Sequence, residues 1–218
     1  MNDKKIRGKS VFSKNNLKIL TEPFSGNNPI IVQILGICSA LAVTVKLEPA
    51  IVMALSVTFV LSFSNLIYSL IRKTVPPRIR IIVQLIIIST LVIFVDQLLK
   101  AFVYDISKQL SVFVGLIITN CVIMGRLEAF ASNNNPWTSF LDGVGNGIGY
   151  GMILIIVAFF RELLGSGTIL GYNVIPQALY NLGYVNNGLM ILPPMALILI
   201  GVIIWVHRSI NKELTDKN

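Results

Sequence analysis

Six long apolar runs, each closed off by charged or turn-forming residues, occupy positions 30–45, 50–71, 80–99, 109–125, 143–163 and 188–206. A bilayer hydrocarbon core of roughly 30 Å is crossed by about 20 apolar residues in helical form, so the pattern predicts an all-α integral membrane protein with six transmembrane helices. Pro49 suits the first turn of the second helix, and the Pro76-Pro77 pair marks the connection to the third.

Six spans divide into halves of three, and the fourth then starts on the opposite face of the membrane from the first. Any repeat is therefore inverted. A basic-Leu-Glu triplet closes the first span of each half, Lys46-Leu47-Glu48 in one and Arg126-Leu127-Glu128 in the other. The first and fourth runs are also the shortest. Small or polar residues interrupt both at mid-depth: Gly36, Cys38, Ser39, Ala40 and Ala42 in one, and Gly115, Thr119, Asn120 and Cys121 in the other. Short or broken helices at corresponding positions of inverted repeats mark the functional centre, which points to these two runs.

Composition agrees with lipid as the solvent: of 218 residues, 54% are hydrophobic and 13% charged, and the mean hydropathy is +0.76. The chain divides into a basic tail over 1–29, a membrane domain over 30–207 and a second tail over 208–218. A net charge of +8 raises nucleic acid as a partner, but the basic residues sit in tails and short loops instead of on an aromatic-studded face, so no nucleic-acid partner is expected. Topology explains them better. Lys4, Lys5, Arg7, Lys9, Lys14 and Lys18 precede an apolar run too distant and too long to be a removable signal peptide. Arg72, Lys73, Arg78, Arg80, Arg126, Arg208, Lys212 and Lys217 fall on the same side as that tail, leaving only Lys46, Lys100, Lys108 and Arg161 opposite. That bias predicts cytoplasmic N- and C-termini in one fixed orientation.

Candidate chemistry is sparse. Cys38 and Cys121 lie inside apolar runs, where a thiol is either a packed small residue or a metal ligand; residue types alone favour the packed pair. An iron-sulfur cluster takes about four cysteine ligands, so a second chain would have to complete the set. Asp96 lies within the third run and Asp142 opens the fifth, and carboxylates at membrane depth often mark ion paths. Against that, Asp96 can sit near an interface and Asp142 can stabilise a helix N-terminus. Gly143, Gly145, Gly147, Gly149 and Gly151 alternate but fit no nucleotide-binding loop. On a helix, Gly143, Gly147 and Gly151 share a face that lets another helix approach closely. His207, beside Trp205 and Arg208, reads as an interfacial anchor. No Walker loop, HExxH or Ser-His-Asp set is present, so the chain has no visible equipment for hydrolysis or for binding NADH.

The stretches Leu35-Gly36-Ile37-Cys38-Ser39-Ala40-Leu41-Ala42-Val43-Thr44, Ser111-Val112-Phe113-Val114-Gly115-Leu116-Ile117-Ile118-Thr119-Asn120-Cys121 and Gly125-Arg126-Leu127-Glu128-Ala129-Phe130-Ala131 resemble the D-type family of the sodium-translocating NADH:quinone oxidoreductases. Further similarity runs through Arg80-Ile81-Ile82-Val83-Gln84, Val95-Asp96-Gln97, Tyr104-Asp105-Ile106-Ser107-Lys108-Gln109 and Phe160-Arg161-Glu162-Leu163, covering about residues 30 to 207. The N-terminal tail and the connection over 166–187 depart from the family pattern.

The resemblance implies one subunit of a six-subunit respiratory complex in the bacterial inner membrane that oxidises NADH, reduces quinone and exports sodium. NADH, flavins and quinone would be bound by other subunits. Family members of D and E type are related, lie in opposite orientations and share an intramembrane iron-sulfur cluster, of the [2Fe-2S] type, through two cysteines from each. Cys38 and Cys121 match the D-type positions, which reverses the residue-type reading. Such a centre supplies a relay across a barrier too thick for a single electron jump. Two alternatives stand beside this reading. The related Rnf complexes, which exchange electrons between ferredoxin and NAD, tend to carry proline where this chain has Ser39 and Gly115. An inverted-repeat secondary transporter would use Asp96 and Asp142 as coupling-ion ligands.

Overall fold

A computed structural model describes residue 20 and residues 28–102, 115–169, 172–173 and 188–210. Its helices are α1 (Ile37–Val43), α2 (Leu47–Ile71), α3 (Arg80–Phe102, preceded by a 3-10 turn over Pro77–Ile79), α4 (Cys121–Arg126), α5 (Pro136–Gly165) and α6 (Pro193–Ile210, preceded by a 3-10 turn over Gly188–Ile191). α4 runs on as a π turn over Leu127–Ala131. After α5, a short antiparallel pairing joins Thr168–Ile169 to Tyr172–Asn173. The expected tails lie largely outside the described residues, as do positions 109–114 of the fourth run and most of the 166–187 connection.

Among the described residues, four helical stretches are long and apolar enough to cross a membrane: Leu47–Ile71, Pro77–Ala101, Pro136–Gly165 and Pro193–Ile210. They answer to the second, third, fifth and sixth apolar runs. The first run is not one helix. Residues 28–36 form turns, and only Ile37–Val43 coil into α1. The described part of the fourth run breaks too: residues 115–118 are helical, the helix stops at Thr119 and Asn120, and α4 starts at Cys121.

α2 and α5 form the centre. They run antiparallel, with Gly143 against Ser62, Gly147 against Thr58 and Gly151 against Ala54. A Cβ built on Gly147 would lie 2.7 Å from the Thr58 Cα and one on Gly143 equally close to the Ser62 Cα, so only glycine permits this approach. The expected close-packing face is thus occupied by a matching row of small residues at the same four-residue spacing. Around this pair the buried core gathers Met53, Leu61, Tyr68, Leu154 and Val157. α3 and α6 lie at the periphery, mostly unburied. Ile82, Ile86, Phe94, Leu197, Ile198 and Trp205 face outward from them, as lipid-facing positions should.

The two ends of the bundle are tied differently. At one end Arg80 pairs with Glu128, Gln84 donates to Glu128, and Arg72 and Ser69 hold the carbonyls of Ser132 and Asn134. At the other, the Leu47 N–H at the start of α2 donates to Glu162 Oε2 at 2.5 Å, placing a carboxylate where the helix dipole favours it. Arg72, Arg80 and Arg126 therefore share one end and Lys46 and Arg161 the other, the grouping expected from the charge bias.

Candidate functional site

The two interruptions meet. The backbone N–H of Gly36 donates to the sulfur of Cys121 over 2.9 Å, joining residues 85 positions apart. Cys38 lies two residues beyond Gly36, exposed on α1, whereas Cys121 is partly buried at the start of α4. The site therefore brings together the two segments that carry the thiols and leaves one thiol on an open face.

Non-helical backbone at membrane depth persists only where protein replaces the missing hydrogen bonds, and Asn28 does this for the first break. Its side-chain oxygen accepts from the N–H groups of Ile30 (3.0 Å) and Ile31 (3.4 Å) while its amide donates to the Gly149 carbonyl of α5 (3.2 Å). Ile34 (φ 55°) and Gly36 (φ 83°) both occupy the left-handed region. That conformation costs a β-branched residue on the order of 1–3 kcal/mol, which surrounding structure must offset. At Gly36 no side chain is admissible on spatial grounds either. A Cβ would stand 2.7 Å from Val122 Cγ2 and 2.8 Å from Tyr150 Cε2. Across the site, Asn120 caps α4 by accepting the Val122 N–H at 3.0 Å.

Between the breaks lies a buried polar cluster. The Tyr150 hydroxyl of α5 is 2.6 Å from Ser39 Oγ, and the Asn120 amide donates to both oxygens at 3.4 Å. Ser39 also donates to the Gly36 carbonyl at 2.9 Å. Tyr150 and Asn28 escaped the sequence reading. A tyrosine inside a glycine-rich run is a weak signal, and its partners lie 30 and 111 residues away.

Arg161, likewise unassigned to any role from sequence, is buried beside the end of α1. It donates to the Thr44 hydroxyl (2.6 Å) and to the carbonyls of Leu41 (3.3 Å), Met190 (3.1 Å), Ile191 (2.7 Å) and Leu192 (3.4 Å). One guanidinium thus ties α1 to the turn that opens α6, a fork geometry lysine lacks.

The remaining candidates lie apart from the cysteines. Asp142 is buried two turns inside α5, which starts at Pro136 instead of position 143, so it does not serve a helix N-terminus. Instead its carboxylate takes Arg126 Nε at 3.0 Å and Arg126 Nη2, and Asn146 Nδ2 at 3.0 Å. Asp96 is partly exposed and pairs with Lys100 one turn on, at 2.5 Å. Among the described residues no three His, Cys, Asp or Glu side chains stand together as a metal site. The donors this chain offers are two thiols, one with an amide N–H on its sulfur. That set suits half of a thiolate-ligated centre, in which N–H···S bonds are part of the tuning.

The family model described as "Rnf-Nqr subunit, membrane protein" matches residues 16–204. Among curated proteins, the chain is 63% identical over 194 residues to the D subunit of the Na(+)-translocating NADH-quinone reductase of Photobacterium profundum, covering 89% of this chain and 92% of that protein. It is 58% identical over 196 residues to the D subunit of the same reductase from Tolumonas auensis, covering 90% and 91%. With the corresponding protein of Haemophilus ducreyi it shares 56% identity over 206 residues, 94% of this chain and 100% of that one.

Proposed function

Given that this chain belongs to the Rnf-Nqr subunit family of membrane proteins, we propose that it is the D-type electron-transfer subunit of a sodium-translocating NADH-quinone reductase, with no catalysis of its own. The observation that carries this is the contact of Gly36 with Cys121, which joins the two cysteine-bearing breaks, in a chain 63% identical to a relative of that name. Cys38 and Cys121 would supply two of the four thiolates of a [2Fe-2S] cluster. A homologous E-type subunit of opposite topology would supply the others, against the face on which Cys38 is exposed. The chemistry such a cluster supplies is one-electron transfer. What this chain does is hold two thiols at interrupted helices inside a shell of satisfied backbone. NADH, flavins and quinone belong to the other subunits of a six-subunit complex.

The reading extends to six spans in two inverted three-helix repeats. Its support is the antiparallel pairing of α2 with α5 and the interruption of the helix preceding each. Insertion is in the bacterial inner membrane with both termini cytoplasmic, on the strength of the charge bias.

The test is replacement of each cysteine by alanine in the assembled complex. Loss of the intramembrane cluster signal and of quinone reduction, with NADH oxidation by the peripheral flavin part retained, is expected; an unchanged signal sinks the assignment. A carrier reading draws on the same interrupted helices and on buried Asp142. Robust solute uptake by the chain reconstituted alone would favour it. Asp96 and Asp142 remain proposed ion-path residues, checked by the sodium dependence of quinone reduction in D96N and D142N.

A further inference from the structure

Tyr150 touches both cysteine-bearing breaks. Its ring packs on Gly36, two residues before Cys38, where an added Cβ would come within 2.8 Å of Cε2. Its hydroxyl meets Ser39, the neighbour of Cys38, and Asn120, the neighbour of Cys121. All three polar residues are buried.

Counting protons fixes the direction of each bond. The single hydroxyl hydrogen of Ser39 goes to the Gly36 carbonyl, so in the 2.6 Å contact Tyr150 is the donor. The Asn120 amide nitrogen lies 3.4 Å from both Ser39 Oγ and the Tyr150 oxygen, and because those two acceptors are only 2.6 Å apart one N–H is shared between them, while the Asn120 carbonyl takes the Val122 N–H. Ser39 thereby donates one bond to Gly36, accepts one from Tyr150 and shares the Asn120 N–H with the Tyr150 oxygen. Phenylalanine fills the same space but takes away the donor to Ser39, leaving that lone pair without a partner where water has no access.

We propose that Tyr150 is a positioning residue that locks the two breaks in register and so keeps the Gly36 N–H on the Cys121 sulfur. Its effect on a cluster rests on the reading of Cys38 and Cys121 as ligands; its effect on the thiol does not. An N–H aimed at a ligating sulfur favours the more negative, reduced state. Loosening that contact therefore lowers the potential of whatever centre the sulfur holds.

The test uses the assembled complex in native membranes carrying Y150F, S39A, the double variant, and S39T, which keeps the hydroxyl. Iron content should hold in all four. Loss of one buried hydrogen bond shifts a local equilibrium by about fivefold. At a fixed potential the reduced-to-oxidised ratio of the intramembrane centre should accordingly fall about fivefold in Y150F and in S39A, no further in the double variant, and not in S39T. In iron-depleted membranes on a C38A background, Cys121 should react about fivefold faster with a membrane-permeant maleimide when Y150F is added. Additive effects, an unchanged ratio, or iron loss with an unchanged labelling rate would each overturn the proposal. Should Y150F not assemble, S39A with S39T as its rescue carries the same readouts. If the centre survives C38A and C121A, the ligand reading fails and the labelling rate alone decides the lock.

Discussion

Gly36 meets Cys121 through its backbone, 2.9 Å from N to Sγ, and glycine is required there twice over. The φ of 83° excludes most side chains, and a Cβ would collide with Val122 and Tyr150. G36A should therefore destabilise the protein by about 2–4 kcal/mol, strain and overpacking together. The check is its thermal melting in detergent beside that of the unsubstituted chain; a shift within error would show that the turn relaxes freely.

The α2–α5 seam makes a sharper comparison. G147A places a methyl 2.7 Å from the Thr58 Cα and should cost about 1–3 kcal/mol by forcing the helices apart. On α6, Gly201 has nothing within 4 Å of its would-be Cβ. There the same change should stabilise by about 0.5–1 kcal/mol through helix propensity. Opposite signs in the two melting curves are the expected result.

Replacing Arg161 tests how α1 is held. R161M strands the Leu41, Met190, Ile191 and Leu192 carbonyls in apolar surroundings, and R161K restores charge but not the fork that spans them. A loss of about 3 kcal/mol or more is expected for R161M, with R161K recovering less than half. Limited proteolysis near the start of α6 should accelerate in both.

The two carboxylate pairs should respond unequally. R126Q leaves Asp142 buried without its guanidinium and should cost about 3–5 kcal/mol, while R126Q with D142N costs less than the single change. D96N removes only a partly exposed i,i+4 pair with Lys100 and should cost less than about 1 kcal/mol. A double-mutant cycle on each pair, read from melting, supplies both numbers.

Four of the six apolar runs became the membrane-length helices α2, α3, α5 and α6, because lipid selects spans by length and composition, and both are local properties of a sequence. The close-packing face of Gly143, Gly147 and Gly151 was legible for the same reason: helical spacing alone puts the three on one side. The special status of the first and fourth runs was also visible, in their shortness and in Gly36, Ser39, Thr119 and Asn120 among apolar neighbours.

Where those runs break was not visible. A backbone can leave the helix at membrane depth only if something else takes its hydrogen bonds, and here the partners are distant. Gly149 serves Asn28 and Cys121 serves Gly36, across 121 and 85 positions respectively. From sequence Asp142 stood open between an ion-path acid and a helix N-terminus, because nothing local announces that Arg126, on another helix, will claim it. Residue type and near neighbours were enough to set the solvent, four of the spans and the two candidate thiols. That the breaks face each other with Tyr150 between them follows only from the assembled fold, because satisfying buried polar groups is a matter of which distant segments meet.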